Sequence, residues 1–242
     1  AGEVAGVRVV APMLAIETVA AGGGAVCEFT GGRLTVGPDS AGSDPGPACY
    51  GRGGPLAVTD INLFNGKIDP TRFPFPLNKD VVAQHLDRIA QAMGNTMSPH
   101  EIADGFTKVA NLKMAAAIKR ISTAHGYDPA DHALVAFGGA AAQHGCAIAR
   151  SLGMKQVLLH PLAGILSAYG ISMADVQRFA ERSVLKRLCD EELSALEPVF
   201  GELEDTLTRQ VLDQGVEAGD IDRPIRLLDL RYQGEESSIT IE

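Results

Sequence analysis

Residues 22–55 hold 11 glycines and 4 prolines, and this stretch constrains the fold of the 242-residue chain more than any other. Glycine reaches backbone angles closed to other residues, while proline fixes φ at about −65° and removes a donor. The segment therefore predicts a long irregular ribbon in place of a helix or regular strand. Ribbons of this length are either functional or disordered. The rest of the chain argues against disorder: it is 45% hydrophobic and 21% charged, which are ordinary globular values. At this length it can bury roughly 70% of its unfolded surface.

The charge is uneven. Of 30 acidic and 21 basic residues, positions 190–242 carry 15 acidic and 4 basic, leaving the first 189 residues near neutrality. A net charge of −9 argues against nucleic acid or an anionic membrane as the main partner. Cys27, Cys49, Cys146 and Cys189 are widely spaced and form no C-x-x-C pair, so neither a disulfide framework nor a zinc module is indicated, and a reducing cytosol is the expected setting. No apolar run approaches the ~20 residues of a membrane span, and no basic n-region leads into an apolar h-region.

Periodicity places the elements. Residues 7–10 and the apolar stretch through Leu14, Ile16 and Val19 read as short strands. Residues 79–93 set Val82, Leu86, Ile89 and Met93 at helical steps. Ser98-Pro99-His100-Glu101 has capping-box spacing and opens a long amphipathic helix that Gly126 stops. Residues 133–137, Gly138-Gly139, residues 143–152 and residues 157–159 spell a buried strand, a turn, a helix and a second, parallel strand. Residues 191–215 predict one helix with an acidic outer face, and residues 225–232 and 238–241 a hairpin. The expected organisation is an α/β region over 1–189, followed by a helix and hairpin over 190–242. Because the chain starts without Met and stops in mid-strand, it reads as part of a longer polypeptide.

Several motifs could carry chemistry. Gly22-Gly23-Gly24 lets backbone N–H groups approach an anion closely, or simply makes a tight bend. Residues 36–51 hold Asp39, Ser40, Ser43, Asp44 and Cys49 between prolines and glycines, an arrangement that suits either an ordered site or an Asx-turn loop. Gly138-Gly139, after a buried strand and before a helix, lies where open α/β sheets bind ligands. His144 follows one turn later, structural or facing that crevice. Cys146 reads as a small buried residue. Asn111, if buried, needs partners for its amide and would fix the long helix against a neighbouring loop. Nucleophile-elbow, H-E-x-x-H and P-loop motifs are absent from the sequence.

Residues 18–24 (Thr-Val-Ala-Ala-Gly-Gly-Gly), 36–51, 58–63 (Val-Thr-Asp-Ile-Asn-Leu), 109–111, 137–140, 143–150 and 230–234 resemble, in order, the hydantoinase A/5-oxoprolinase family, and most of all its ATP-dependent 5-oxoprolinases. The resemblance implies an actin/hexokinase-like (ribonuclease H-like) α/β ATPase lobe. It implies ATP-driven opening of 5-oxo-L-proline to L-glutamate with Mg²⁺ on the phosphates, or the related chemistry of a hydantoin or a ketone. A non-catalytic scaffold or subunit-contact domain is the reading of a different class. By analogy, Asp39, Ser40 and Asp44 lie beside the reacting groups, the triple glycine forms the wall there, and Gly138, Gly139 and His144 lie on the nucleotide side. Family members carry Asp-x-Gly-Gly-Thr-type phosphate loops that do not occur in these residues, so the region alone is expected not to turn over ATP. Relatives often have His where this chain has Glu17, which leaves the metal ligands undefined. The expected partner is a small lactam, with self-association left open.

Overall fold

The computed structural model describes residues 2–4, 7–9, 16, 18–235 and 237–242. They form two compact units, Ala1–Gly170 and Ile171–Glu242. This break falls before the 189/190 boundary read from the charge distribution.

The first unit begins with an antiparallel pair, β1 (Gly2–Val4) and β2 (Val7–Val9). A hairpin of β3 (Ala25–Thr30) and β4 (Arg33–Ser40) follows. Its two-residue loop, Gly31-Gly32, has φ of 61° and 76°, matching the double positive φ that tight hairpins demand. The segment over 22–55 is therefore not irregular throughout, because its first half pairs as this hairpin around Gly31-Gly32. Only after Ser40 does a ribbon without regular strands run to α1 (Val58–Phe64), broken by one 3-10 turn at Ala48–Tyr50.

Helices α2 (Lys79–Ala92) and α3 (Pro99–Ala124) appear where the periodicity placed them. Ser98 and Glu101 make the expected capping box: the Ser98 N–H donates to Glu101 Oε2 at 2.8 Å, and the Glu101 N–H donates to Ser98 Oγ at 3.3 Å. The apolar stripes of α1, α2 and α3 meet the inner face of the hairpin in one core that includes Val36, Ile61, Leu86, Ile102 and Phe106. Each of these side chains contributes about 1.5–3 kcal/mol by leaving water. This core is the platform under the ribbon.

The βαβ unit is present as β5 (Leu134–Val135), α4 (Ala142–Ser151) and β6 (Val157–Leu158), with β5 and β6 parallel. Gly145 lets α4 lie directly on the strands, since a Cβ there would stand 3.4 Å from both Ala136 and Val157 side-chain carbons. Strand β5 is shorter than expected and only partly buried: Val135 and Phe137 are each 51% exposed, because α4 covers one face of the pair and the other lies open. Helix α5 (Leu166–Met173) follows.

In the second unit the single helix expected over 191–215 is two, α6 (Asp190–Ala195) and α7 (Glu197–Leu212). The break comes at Pro198, which has no N–H to donate one turn back and so starts a new helix. On α7, Arg226 bridges Glu197 and Glu204 and lies over the Phe200 ring, with 5.0 Å to the centroid. The hairpin forms as β7 (Leu228–Leu230) and β8 (Ile239–Ile241), antiparallel. Cys146 corrects another expectation. It is exposed, because the face of α4 that packs inward is taken by His144, Gly145, Ile148 and Ala149. Glu17 and Leu14 lie outside the described residues, while Ile16 and Val19, expected in a short strand, are in none. Among those described, no helix is long and apolar enough to cross a membrane.

Candidate active site

The ribbon is held from below by a buried charge. Asp60, in the first turn of α1, is 0% exposed. Its Oδ1 accepts from the Cys49 N–H at 2.7 Å, and its Oδ2 from the N–H groups of Ala48 at 3.0 Å and Ala57 at 2.7 Å. Three backbone donors satisfy this carboxylate and pin both ends of residues 48–57 to α1. The charge is felt by its neighbours: burial first, and then Asp60, push the Cys27 thiol far up, and the Cys49 thiol follows for the same reasons, aided by its own hydrogen bond to Asp60.

Close packing does the rest. A Cβ on Gly54 would stand 1.7 Å from the Gly46 carbonyl oxygen, one on Gly46 2.5 Å from the Tyr50 ring, and one on Gly37 2.3 Å from the Ala20 carbonyl oxygen. Tyr50 is itself wedged against Phe73 and Phe75, with centroids 5.9 and 4.9 Å away. From α3, the Lys113 ammonium donates to the Val36 carbonyl. The ribbon is irregular but tightly built.

Its upper end meets the triple glycine. The Ala41 N–H donates to the Gly24 carbonyl at 2.8 Å, and a Cβ on Gly24 would stand 2.8 Å from Ser40 Oγ. Ser40 Oγ also accepts from the Gly42 N–H at 3.3 Å. Thr59 grips the middle glycine: its N–H and its hydroxyl both donate to the Gly23 carbonyl, at 2.8 and 2.9 Å. A Cβ built on Gly23 would stand 2.8 Å from Thr59 Oγ1 and 3.6 Å from the Ala140 Cβ. Gly23 in the wall and Ala140 at the end of the glycine turn therefore lie close to each other, although more than a hundred residues separate them in the chain.

The predicted residues are not all alike. Asp39, Ser40 and Asp44 are exposed along the ribbon, as are Gly22, Gly138 and Gly139, while Gly23 and Gly24 are half-buried. His144 is 1% exposed. Its Nδ1 lies 2.7 Å from Asn111 Oδ1 on α3, and its Nε2 lies 2.9 Å from Asn62 Nδ2 on α1. Asn111 presents a carbonyl oxygen, so Nδ1 carries the hydrogen and Nε2 accepts from the Asn62 amide. Both ring nitrogens are occupied by protein. Burial, and then the Lys67 charge, lower the His144 pKa to about 4. The Asn62 Oδ1 next to it is buried without a partner, a defect that costs about 1–3 kcal/mol. Asn111 thus ties the long helix to α4, where the sequence pointed to a loop.

Asp60, Thr59 and Asn62 lie in the 58–63 motif that carried part of the family resemblance, but nothing in their spacing gave them a role. The available signal was a carboxylate in the first turn of a short helix directly after the ribbon. Two hollows, of about 260 Å³ beside Leu63, Phe64 and Lys79 and about 430 Å³ between Phe29, His85 and Arg88, are not lined by the glycine turns. Among the described residues no three His, Cys, Asp or Glu side chains gather as a metal site.

A family model described as hydantoinase/oxoprolinase matches residues 1–179. The chain belongs to the hydantoinase/oxoprolinase family. Within that family it is 41% identical to 5-oxoprolinase 1 of Arabidopsis thaliana over 99% of its length, and 40% identical to the 5-oxoprolinase of Saccharomyces cerevisiae over 98%. It spans 20% and 19% of those two relatives, about a fifth of each. Among solved structures, the crystal structure of the ATP-dependent caprolactamase from Pseudomonas jessenii superposes with a TM-score of 0.67 at 32% identity, covering 97% of this chain and 35% of that one. Nucleotide-free acetone carboxylase, at 20% identity and a TM-score of 0.69 over 91% of this chain and 32% of that one, shares the fold. The mixed helix-and-strand architecture is that of the hydantoinase family.

Proposed function

We propose that these residues form the substrate-side part of an ATP-dependent 5-oxoprolinase, which opens 5-oxo-L-proline to L-glutamate in the cytosol. The observation that carries this reading is the approach of Gly23 to Ala140. It brings a glycine wall flanked by Ser40 and a glycine turn of the kind that borders nucleotides into one place, in a chain that is 41% identical to a 5-oxoprolinase over 99% of its length. The surrounding architecture is then one lobe of an actin/hexokinase-like ATPase, with the phosphate loops in the four-fifths of the relatives that this chain does not span.

A lactam carbonyl is a poor electrophile, and ATP supplies the phosphoryl group that turns its oxygen into a leaving group so that water can attack the carbon. The chain contributes position and polarity. Nothing lies within 4 Å of where a Cβ would sit on Gly138 or Gly139, so the flat face of a base or ribose can rest on bare backbone there. Ser40, set over Gly24, and the exposed carboxylates of Asp39 and Asp44 line the side where the lactam sits, and they orient it and the attacking water. No three His, Cys, Asp or Glu side chains gather as a metal site among the described residues.

In the full-length parent, Asp44→Ala should lower kcat/KM for 5-oxoproline-dependent ATP hydrolysis on the order of 100-fold while leaving Tm unchanged, because the side chain is exposed. An unchanged kcat/KM removes Asp44 from the site. A second reading, another cyclic amide as substrate, is favoured by 34% identity to the caprolactamase alpha subunit of Pseudomonas jessenii over 97% of this chain. Assaying the parent with 5-oxoproline, hydantoin and caprolactam side by side separates the two.

A further inference from the structure

Helix α1 holds the triple-glycine wall at one end and a buried amide at the other. Thr59 grips the Gly23 carbonyl through two hydrogen bonds, and Asn62, one turn later, donates to His144 Nε2. His144 lies in the first turn of α4, directly after the paired-glycine turn, where Gln143 Nε2 also donates to the Gly139 carbonyl at 3.4 Å. The second ring nitrogen ties α4 to Asn111 on α3. An unbroken chain of contacts therefore runs from Gly23 through Thr59, Asn62, His144 and Gln143 to Gly139.

An apolar pair in place of both Asn62 and His144 would fill the same space and leave no Asn62 Oδ1 buried and unpartnered. What the polar arrangement provides is a single spacing: a planar ring with one donor and one acceptor fits between the two amides in only one orientation. Rotating the Asn62 amide would set its oxygen against the Nε2 lone pair. We propose that His144 is a positioning residue, a rigid spacer that fixes the paired-glycine turn against the triple-glycine wall by clamping α4 to α1 and α3. Its relevance to catalysis rests on the reading of these two turns as walls of one site.

Hydrogen exchange on the full-length parent tests the coupling without reference to activity. In His144→Leu, exchange should rise at least about fivefold in peptides spanning 20–25 and 137–142 together, with 28–35 in the β3–β4 hairpin unchanged. His144→Gln, whose amide also offers one donor and one acceptor, should restore protection in both. A rise confined to α4, or no rise at 20–25, overturns the proposal. If His144→Leu loosens the whole chain, Asn111→Ala removes one ring partner from a half-buried position and is judged by the same two peptides. Kinetics supply the second arm. Where the parent hydrolyses ATP in response to lactam, His144→Leu should raise KM for ATP about tenfold more than it lowers kcat, and the Gln variant should recover it. Kinetics unchanged in the Leu variant overturn the positioning role. A wild-type parent with no lactam-dependent turnover refutes the 5-oxoprolinase reading, while exchange still decides the coupling.

Discussion

Residues 37–54, the end of β4 and the ribbon after it, and the turn at 138–139 are both glycine-rich, yet Gly37, Gly46 and Gly54 in the first and both glycines of the second face opposite surroundings. In the first, Gly37, Gly46 and Gly54 are present because neighbouring backbone or ring atoms occupy the space a Cβ would need. At the turn, Gly138 and Gly139 face open space. The first use of glycine lets the protein pack against itself, and the second leaves backbone bare for something else to pack against. Composition alone treats the two as one signal.

Substitution separates them. Gly54→Ala should have the largest effect, a loss of about 5 kcal/mol or outright failure to fold, because the obstacle is a carbonyl oxygen that cannot swing aside. Urea unfolding measures it, and a loss under about 1 kcal/mol would mean that the ribbon relaxes freely. Next comes Asp60→Asn, at about 4 kcal/mol by the same measurement, since the amide turns one of the two accepting oxygens into a donor aimed at backbone N–H groups.

Acid should act through His144, whose folded-state pKa of about 4 lies below its ordinary 6.5. Between those values the unfolded chain binds a proton that the folded one refuses, so stability is intact above pH 6.5 and falls as pH drops toward 4. The loss amounts to about 3 kcal/mol, and His144→Gln should flatten that part of the stability profile. The same slope in both proteins would show that the ring is not held neutral. The smallest change in stability, under about 1 kcal/mol, belongs to Gly139→Ala, where the methyl enters open space and φ is not in the left-handed region. In the parent the same methyl should weaken ATP binding about tenfold by calorimetry. Equal losses of stability for Gly54→Ala and Gly139→Ala would erase the distinction between the two regions.

Local rules carried much of the fold. The Ser98 capping box, the stripe of α2, the glycine that ends α3 and the parallel βαβ unit are each written in a few neighbouring residues, and each is present. Pro198 was equally visible, but the periodicity running through it suggested one continuous helix. The family motifs also marked the triple glycine and the paired glycine, and Gly23 lies near Ala140 at the end of the second. What stayed hidden depends on distant partners: His144 finds Asn111 at a separation of 33 residues and Asn62 at 82, and Asp60 finds Ala48 at 12. No periodicity encodes such pairings, because they exist only once α1, α3 and α4 are packed.

The buried carboxylate under the ribbon has a consequence for electrophiles. A thiol must ionise before it attacks an alkylating agent or a peroxide, and burial first, then the negative charge of Asp60, oppose a thiolate at Cys27 or Cys49. Those two sulfurs are thereby passivated while the fold holds. Cys146 and Cys189, on the surface, remain the places where a fluorophore or spin probe attaches to the native protein.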